Sequence, residues 1–271
     1  MPESSIQIFR PIHLKEPIRF TLFDFDGTIS TIRQGWEEVM VPMMVEMICG
    51  GLCDDLEIRR EVEAYVDKST GIQTILQMEW LAQAVRRHGR VPHALSAQAY
   101  KAIYNERLLQ PVRDRLDRLK RGLLSPEDLS IAGAIGFVRT LYERGLTLFL
   151  ASGTDEAYVR NEVEHLGIAR YFKGGLFGAR RTFQEYSKEK VIRRILKEHH
   201  LQGEALMVVG DGPVEIRHAR EVGAMAVGVA SDEVRRRGWN ERKRERLIRA
   251  GADLLIPDFE QADELLDLLN L

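Results

Sequence analysis

Asp24 and Asp26 close the apolar run Phe20-Thr21-Leu22-Phe23 and are followed at once by Gly27 and Thr28. Side chains alternate along a strand, so the two carboxylates project to one side while Phe23 and Phe25 point to the other. Carboxylates so close repel unless a cation or a shared proton compensates. A hard divalent ion such as magnesium takes oxygen ligands and keeps positions open for a substrate phosphate, which makes it the natural compensator. The same residues also suit a solvated Asp-Gly turn at a strand end.

Further candidates lie at the ends of later apolar runs. Residues 147–151 lead into Ser152-Gly153-Thr154, and residues 205–209 lead into Gly210-Asp211-Gly212, with Glu215 four positions beyond Asp211. Lys188 opens the helix between them. In an open parallel sheet, ligands sit beyond the carboxyl ends of the strands. Together these positions supply a nucleophile, a hydroxyl with backbone amides for phosphate, a cation and another metal-binding carboxylate. Ser152 and Thr154 serve equally well as helix caps, and Asp211 as a turn residue.

The elements that must position these residues alternate. A strand over 18–25 comes first. From residue 130 the pattern reads helix 131–144, strand 147–151, helix 156–166, apolar piece 175–178, helix 188–199, strand 205–209, helix 214–222, strand 224–229, strand 253–256 and helix 261–269. Apolar strands alternating with helices predict an α/β fold whose parallel sheet is covered on both faces. Residues 36–124 show helical periodicity and no convincing strand. Trp36, Val39, Met40, Met43, Met44 and Met47 form one stripe, read as core, and Ile72, Ile75, Leu76, Trp80, Leu81 and Val85 form another. The expected organisation is a leader over 1–17, an α/β core from 18–32 and 131–271, and an all-helical insertion over 33–130.

Four motifs in this order, with a helical insert between the first and second, resemble the haloacid dehalogenase superfamily, specifically its phosphatase branch. The resemblance extends from about residue 18 to the C-terminus and implies a Rossmann-like parallel sheet core with an inserted helical cap, similar to phosphoglycolate phosphatase and beta-phosphoglucomutase relatives. It implies that Asp24 attacks phosphorus to form an aspartyl-phosphate and that Asp26 carries the proton for the leaving group and then for water. Magnesium is implied on the Asp24 carboxylate, the Asp26 carbonyl and Asp211, with Glu215 supporting it through its water shell. Ser152 and Gly153 would hold the phosphate, and Lys188 would neutralise the nucleophile and the transferred group. The family lysine stands just before its helix, which favours Lys188 over Lys190. Glu215 departs from the Asp common in the last motif but keeps the charge. An acid at Asp26 argues for ester or anhydride chemistry rather than dehalogenation.

The implied activity is magnesium-dependent hydrolysis of a small phosphorylated metabolite such as a sugar phosphate, phosphoglycolate or a nucleotide. A phosphomutase or an inorganic pyrophosphatase of the same fold is the alternative, and a non-catalytic metabolite-binding relative a further one. A cap that closes over the site places substrate reading in the insert. Candidates are Arg33, Gln34 and Trp36 near its start, Gly71 and Gln73 in its 70–74 turn, and Arg180 with Arg181 beyond a later strand.

Composition bounds the partners. With 39 Lys and Arg against 41 Asp and Glu, no global charge favours nucleic acid or an anionic membrane. The arginine-rich stretch 235–249, containing Trp239, Glu241 and Glu245, reads as a solvated helix face. Cys49 and Cys53 cannot make a disulfide framework and read as packing residues, consistent with a reducing cytoplasm. Neither a signal peptide nor a spanning segment is expected.

Overall fold

The computed structural model describes residues 5–12, 14, 16–52, 55–179 and 186–271. Its centre is a seven-stranded sheet in the order β1-β7-β6-β5-β2-β3-β4. The strands are β1 (Gln7–Ile8), β2 (Phe20–Phe23), β3 (Thr147–Asp155), β4 (Gly175–Ala179), β5 (Leu206–Gly210), β6 (Met225–Val229) and β7 (Leu254–Ile256). All pairings are parallel except that of β1 with β7. The region expected to be only a leader therefore adds an edge strand, too short to show a period in the sequence.

Both faces of the sheet are covered, and successive residues alternate between them. Phe23, Leu148, Leu150, Met207 and Val209 belong to one apolar cluster. Leu22, Phe149, Leu206 and Val208 belong to the other. This is the pattern of a parallel sheet between two helical layers. α5 (Ala134–Glu143), α6 (Glu156–His165) and α10 (Ala262–Leu268) pack on the first face. α7 (Lys188–Glu198), α8 (Pro213–Glu221) and α9 (Glu241–Ala250) pack on the second.

Between β2 and β3 the chain forms four helices: α1 (Trp36–Cys49), α2 (Leu56–Lys68), α3 (Thr74–His88) and α4 (Ala97–Lys120). Met40, Met43, Met44, Ile58, Val62, Met78 and Leu81 are buried among them, so the methionine stripe is core. Cys49 is disulfide-bonded rather than a free packing thiol. The expectation for Cys53 lies outside the described residues. No described helix is long and apolar enough to cross a membrane.

The sheet places the crevice. β2 lies inside the sheet, with β3 and β4 on one side and β5, β6, β7 and β1 on the other. The strand order reverses beside β2, which is where ligands of such sheets bind. The helical insert leaves from that same end.

Candidate active site

β2 ends at Phe23, earlier than its apolar run suggested, but the Asp24 amide still donates to the Val209 carbonyl at 2.8 Å. That bond fixes the Asp24 backbone against β5. Gly27, at φ 75, then lets the chain turn, and its amide donates to the Ser30 carbonyl at 2.8 Å.

Asp24, 6 % exposed, lines a cavity of about 80 Å³. Lys188, the first residue of α7, places Nζ 2.9 Å from Asp24 Oδ1 and 3.0 Å from Glu215 Oε2. Lys190 is exposed, so the geometry distinguishes the two lysines. Ser187 caps α7 by accepting from the Lys190 amide, which sets the helix start that aims Lys188 inward. Glu215 Oε1 accepts from the Gly212 amide at 2.7 Å and thereby caps α8. One glutamate thus closes a helix N-terminus and faces the lysine.

Asp24, Asp211 and Glu215 can each offer a carboxylate oxygen within 4.8 Å of the others. Burial pushes the Asp24 carboxyl well above its ordinary range, against the pull of Lys188, and Glu215 and Asp211 push it further. Burial works against the Lys188 ammonium, yet Asp24 and Glu215 raise its proton affinity. Burial thus dominates the upward shift of Asp24, and the neighbouring carboxylates that of Lys188. An oxygen-only, net negative set of this size fits a hard divalent cation.

Asp26 also lines the cavity. Its Oδ2 accepts from the hydroxyls of Ser152 and Thr154, each at 3.0 Å, while its buried Oδ1 has no hydrogen-bond partner. Ser152, expected to hold a phosphate, donates to Asp26 in this structure. It also lies inside β3, which runs four residues past the expected end, so neither Ser152 nor Thr154 caps α6. The β3–β4 register shifts between Ala151 and Asp155, and this bulge presents Ser152 and Thr154 to Asp26. The Tyr186 hydroxyl donates to the Ser152 carbonyl at 2.7 Å and braces the same segment.

The insert meets the core at two glycines. A Cβ on Gly153 would lie 2.4 Å from the Ile72 carbonyl oxygen, and one on Gly71, at φ 91, would lie 2.8 Å from Glu215 Oε2. Gly71 thus admits the site's own charged groups. Gln73 donates from Nε2 to the Tyr186 carbonyl at 2.6 Å and tacks the insert to the core. Gln34 does not line the cavity; Arg115 donates to its side-chain oxygen at 3.3 Å.

Arg33 does line it, but its Nη2 donates to Glu162 Oε1 at 2.6 Å and its Nε stands 3.8 Å from Asp26 Oδ1. Burial lifts the Glu162 carboxyl to about 7, against the pull of Arg33. Arg180 and Arg181 lie outside the described residues. The rest of the cavity includes Trp36, Lys101, Tyr104, Asn105, Leu108 and Tyr158. Lys101 Nζ lies 2.5 Å from Asp155 Oδ1, across the insert–core seam.

The arginine-rich stretch is not merely a solvated face. Lys243 Nζ contacts Asp211 Oδ2 at 2.7 Å and Glu233 Oε1 at 2.6 Å. Arg246 is 5 % exposed and donates to the Thr70 hydroxyl at 3.0 Å, to Asp67 Oδ1 at 3.3 Å and to the Asp211 carbonyl at 3.3 Å. Burial opposes ionisation of Asp211, but Lys243 and Arg246 hold its carboxyl below the ordinary range. Neighbouring charges within the segment suggested local pairing; the actual partners come from distant parts of the chain. Lys243, Arg246, Leu247 and Ala250 share a helix face, and that period was the available signal for their burial.

Fold and site together define an α/β protein whose acidic residues gather at the carboxyl ends of parallel strands. Residues 18–223 match the family model of haloacid dehalogenase-like hydrolases, and the chain belongs to that family. It is 23% identical over 219 residues to a 5'-nucleotidase of Pseudomonas aeruginosa, a match covering 79% of this chain and 86% of the relative. Among solved structures, a predicted phosphatase from Clostridium acetobutylicum superposes with a TM-score of 0.61 at 17% identity, covering 94% of this chain and 100% of that one. A beta-phosphoglucomutase from Clostridium difficile gives 0.59 at 16% identity, covering 93% and 97%.

Proposed function

We propose that the chain is a magnesium-dependent phosphatase that hydrolyses a small phosphate monoester with an uncharged leaving group, through an aspartyl-phosphate on Asp24. The observation that supports this reading is that Asp24, paired with Lys188, and Asp26 line one cavity. In the first half, an Asp24 oxygen attacks phosphorus in line, the bond to the leaving oxygen breaks, and Asp26 gives that oxygen a proton. In the second half, Asp26 takes a proton from the attacking water, the new phosphorus–oxygen bond forms and Asp24 leaves. Asp26 Oδ1, without a hydrogen-bond partner, is the oxygen available for that proton, while Ser152 and Thr154 hold Oδ2. Lys188 offsets charge shared by Asp24 and the phosphoryl group. Asp24, Asp211 and the Asp26 carbonyl are the proposed holders of magnesium, with Glu215 behind them; the bound ion would spread charge developing on phosphorus.

The leaving group is read from charge and size. The three cations lining the cavity already face carboxylates: Lys188 faces Asp24 and Glu215, Arg33 faces Glu162, and Lys101 faces Asp155. Each of these cations thus has an acidic partner of its own, which favours a substrate whose only anionic group is the phosphate over phosphoglycolate, pyrophosphate or the bisphosphates of a mutase. A cavity of about 80 Å³ has space for several water molecules, at roughly 10–15 Å³ each by the same measure. A larger ester therefore requires the insert to move, which is the behaviour of a cap. Similarity to a 5'-nucleotidase supports a second reading, in which an uncharged nucleoside fills the aromatic part of an opened cavity beside Trp36, Tyr104 and Tyr158.

Phosphate release from a panel of monoesters, with magnesium and with chelator, tests the proposal. Turnover of sugar or nucleoside monophosphates well above phosphoglycolate, lost with chelator, is expected. Preference for a doubly anionic substrate would refute the leaving-group assignment, and rapid isomerisation without phosphate release would favour a mutase.

A further inference from the structure

Lys243, in the first turn of α9, reaches the same aspartate that the proposed reaction assigns to the metal. Its ammonium is divided between Asp211 Oδ2 at 2.7 Å and Glu233 Oε1 at 2.6 Å. Lys243 is 8 % exposed and Asp211 5 %. Gly27 is pressed on the same pair, since a Cβ there would lie 2.4 Å from Asp211 Oδ2 and 2.9 Å from Glu233 Oε1. The other Asp211 oxygen faces the Thr28 hydroxyl at 3.3 Å, and Arg246 holds the Asp211 carbonyl. More distant Glu37 and Arg115 act on Glu233 from the insert.

The arrangement places ammonium groups on two sides of the acidic cluster, Lys188 at Asp24 and Lys243 at Asp211. Lys188 has a use in the proposed chemistry, as the partner of the nucleophile. Lys243 does not face the cavity, and Glu233 anchors it where it is. A carboxylate already shared with a fixed ammonium yields less to an incoming dication, and the ammonium repels that dication at short range. We propose that Lys243, tethered by Glu233, is a resident counter-cation at Asp211 that weakens divalent-ion binding there and keeps the ion readily exchanged. The inference rests on the magnesium reading above. It assigns Lys243 and Glu233 as positioning residues that act through Asp211.

Calorimetric titration of the full chain with magnesium alone tests it. Glu233→Gln, nearly isosteric, leaves the Lys243 charge to Asp211 and is expected to weaken magnesium binding about tenfold. Lys243→Met combined with Glu233→Gln removes the pair together and, by removing the repelling ammonium, is expected to tighten binding about tenfold relative to the unaltered chain. A double variant that binds magnesium equally or more weakly overturns the inference, because the lysine would then only hold Asp211 in place. If the double variant does not fold, Glu233→Gln decides alone, and unchanged or tighter binding overturns the inference. Absence of magnesium-dependent turnover in the unaltered chain would count against the proposed function; the present inference is read from the difference in Kd between variants.

Discussion

Asp26 and Glu162 show how the buried charges of this site are divided. Asp26 has one oxygen held by two hydroxyls and the other without a hydrogen-bond partner, the arrangement a proton carrier needs. Asp26→Asn is expected to lower turnover by about 10²- to 10⁴-fold with little loss of stability, checked by steady-state kinetics alongside urea denaturation. Glu162 behaves differently, because burial raises its carboxyl from 4.5 to about 7 despite Arg33. A folded-state value above the unfolded one means that its stabilising share is complete below about 4.5 and is lost as pH rises through 7. Thermal melts from pH 4.5 to 8 should show a declining component, worth about 3 kcal/mol at most, that is absent in Glu162→Gln. Equal pH slopes in both proteins would show that Glu162 does not titrate in this window.

At the scale of elements, the seam between insert and core depends on backbone approach. Gly71 combines a left-handed φ of 91 with a site for Cβ 2.8 Å from Glu215 Oε2. Gly71→Ala is expected to cost about 1–2 kcal/mol from backbone conformation alone and to lower activity by displacing Glu215 and Lys188. Denaturation and kinetics measure the two effects separately. Arg246 ties Thr70 and Asp67 of the insert to the Asp211 carbonyl. Arg246→Met should therefore increase amide hydrogen exchange around residues 67–73 and raise KM more than it lowers kcat. Unchanged exchange there would remove Arg246 as a tie between insert and core. Asp24, Asp211 and Lys188 were legible in sequence because each stands at the end of an apolar run or the start of a helix. Lys243, Glu233 and Arg246 were not, since their partners lie in distant segments and local charge spacing suggested solvated pairs. The extension of β3 through Ser152 was hidden for a related reason: a bulge is set by pairing with β4, not by the polar residues that occupy it.

Across the whole molecule, β2 inside the sheet sets the direction of everything else. Its carboxyl end carries Asp24 and Asp26, the neighbouring β3 and β5 deliver Ser152 and Asp211, and the insert leaves from the same end to cover them. Alternating apolar runs were enough to read this layout, because a sheet buried on both faces writes its strands as continuous hydrophobic segments. The edge strand β1 escaped because two residues carry no period. In the proposed chemistry Asp24 becomes phosphorylated during turnover. Acid quenching with a radiolabelled phosphate monoester, followed by borohydride reduction and peptide mass spectrometry, tests it directly. Label on the protein during turnover and conversion of Asp24 to homoserine are expected, both absent in Asp24→Asn. Steady phosphate release with no protein-bound label, or reduction at any other carboxylate, would contradict it.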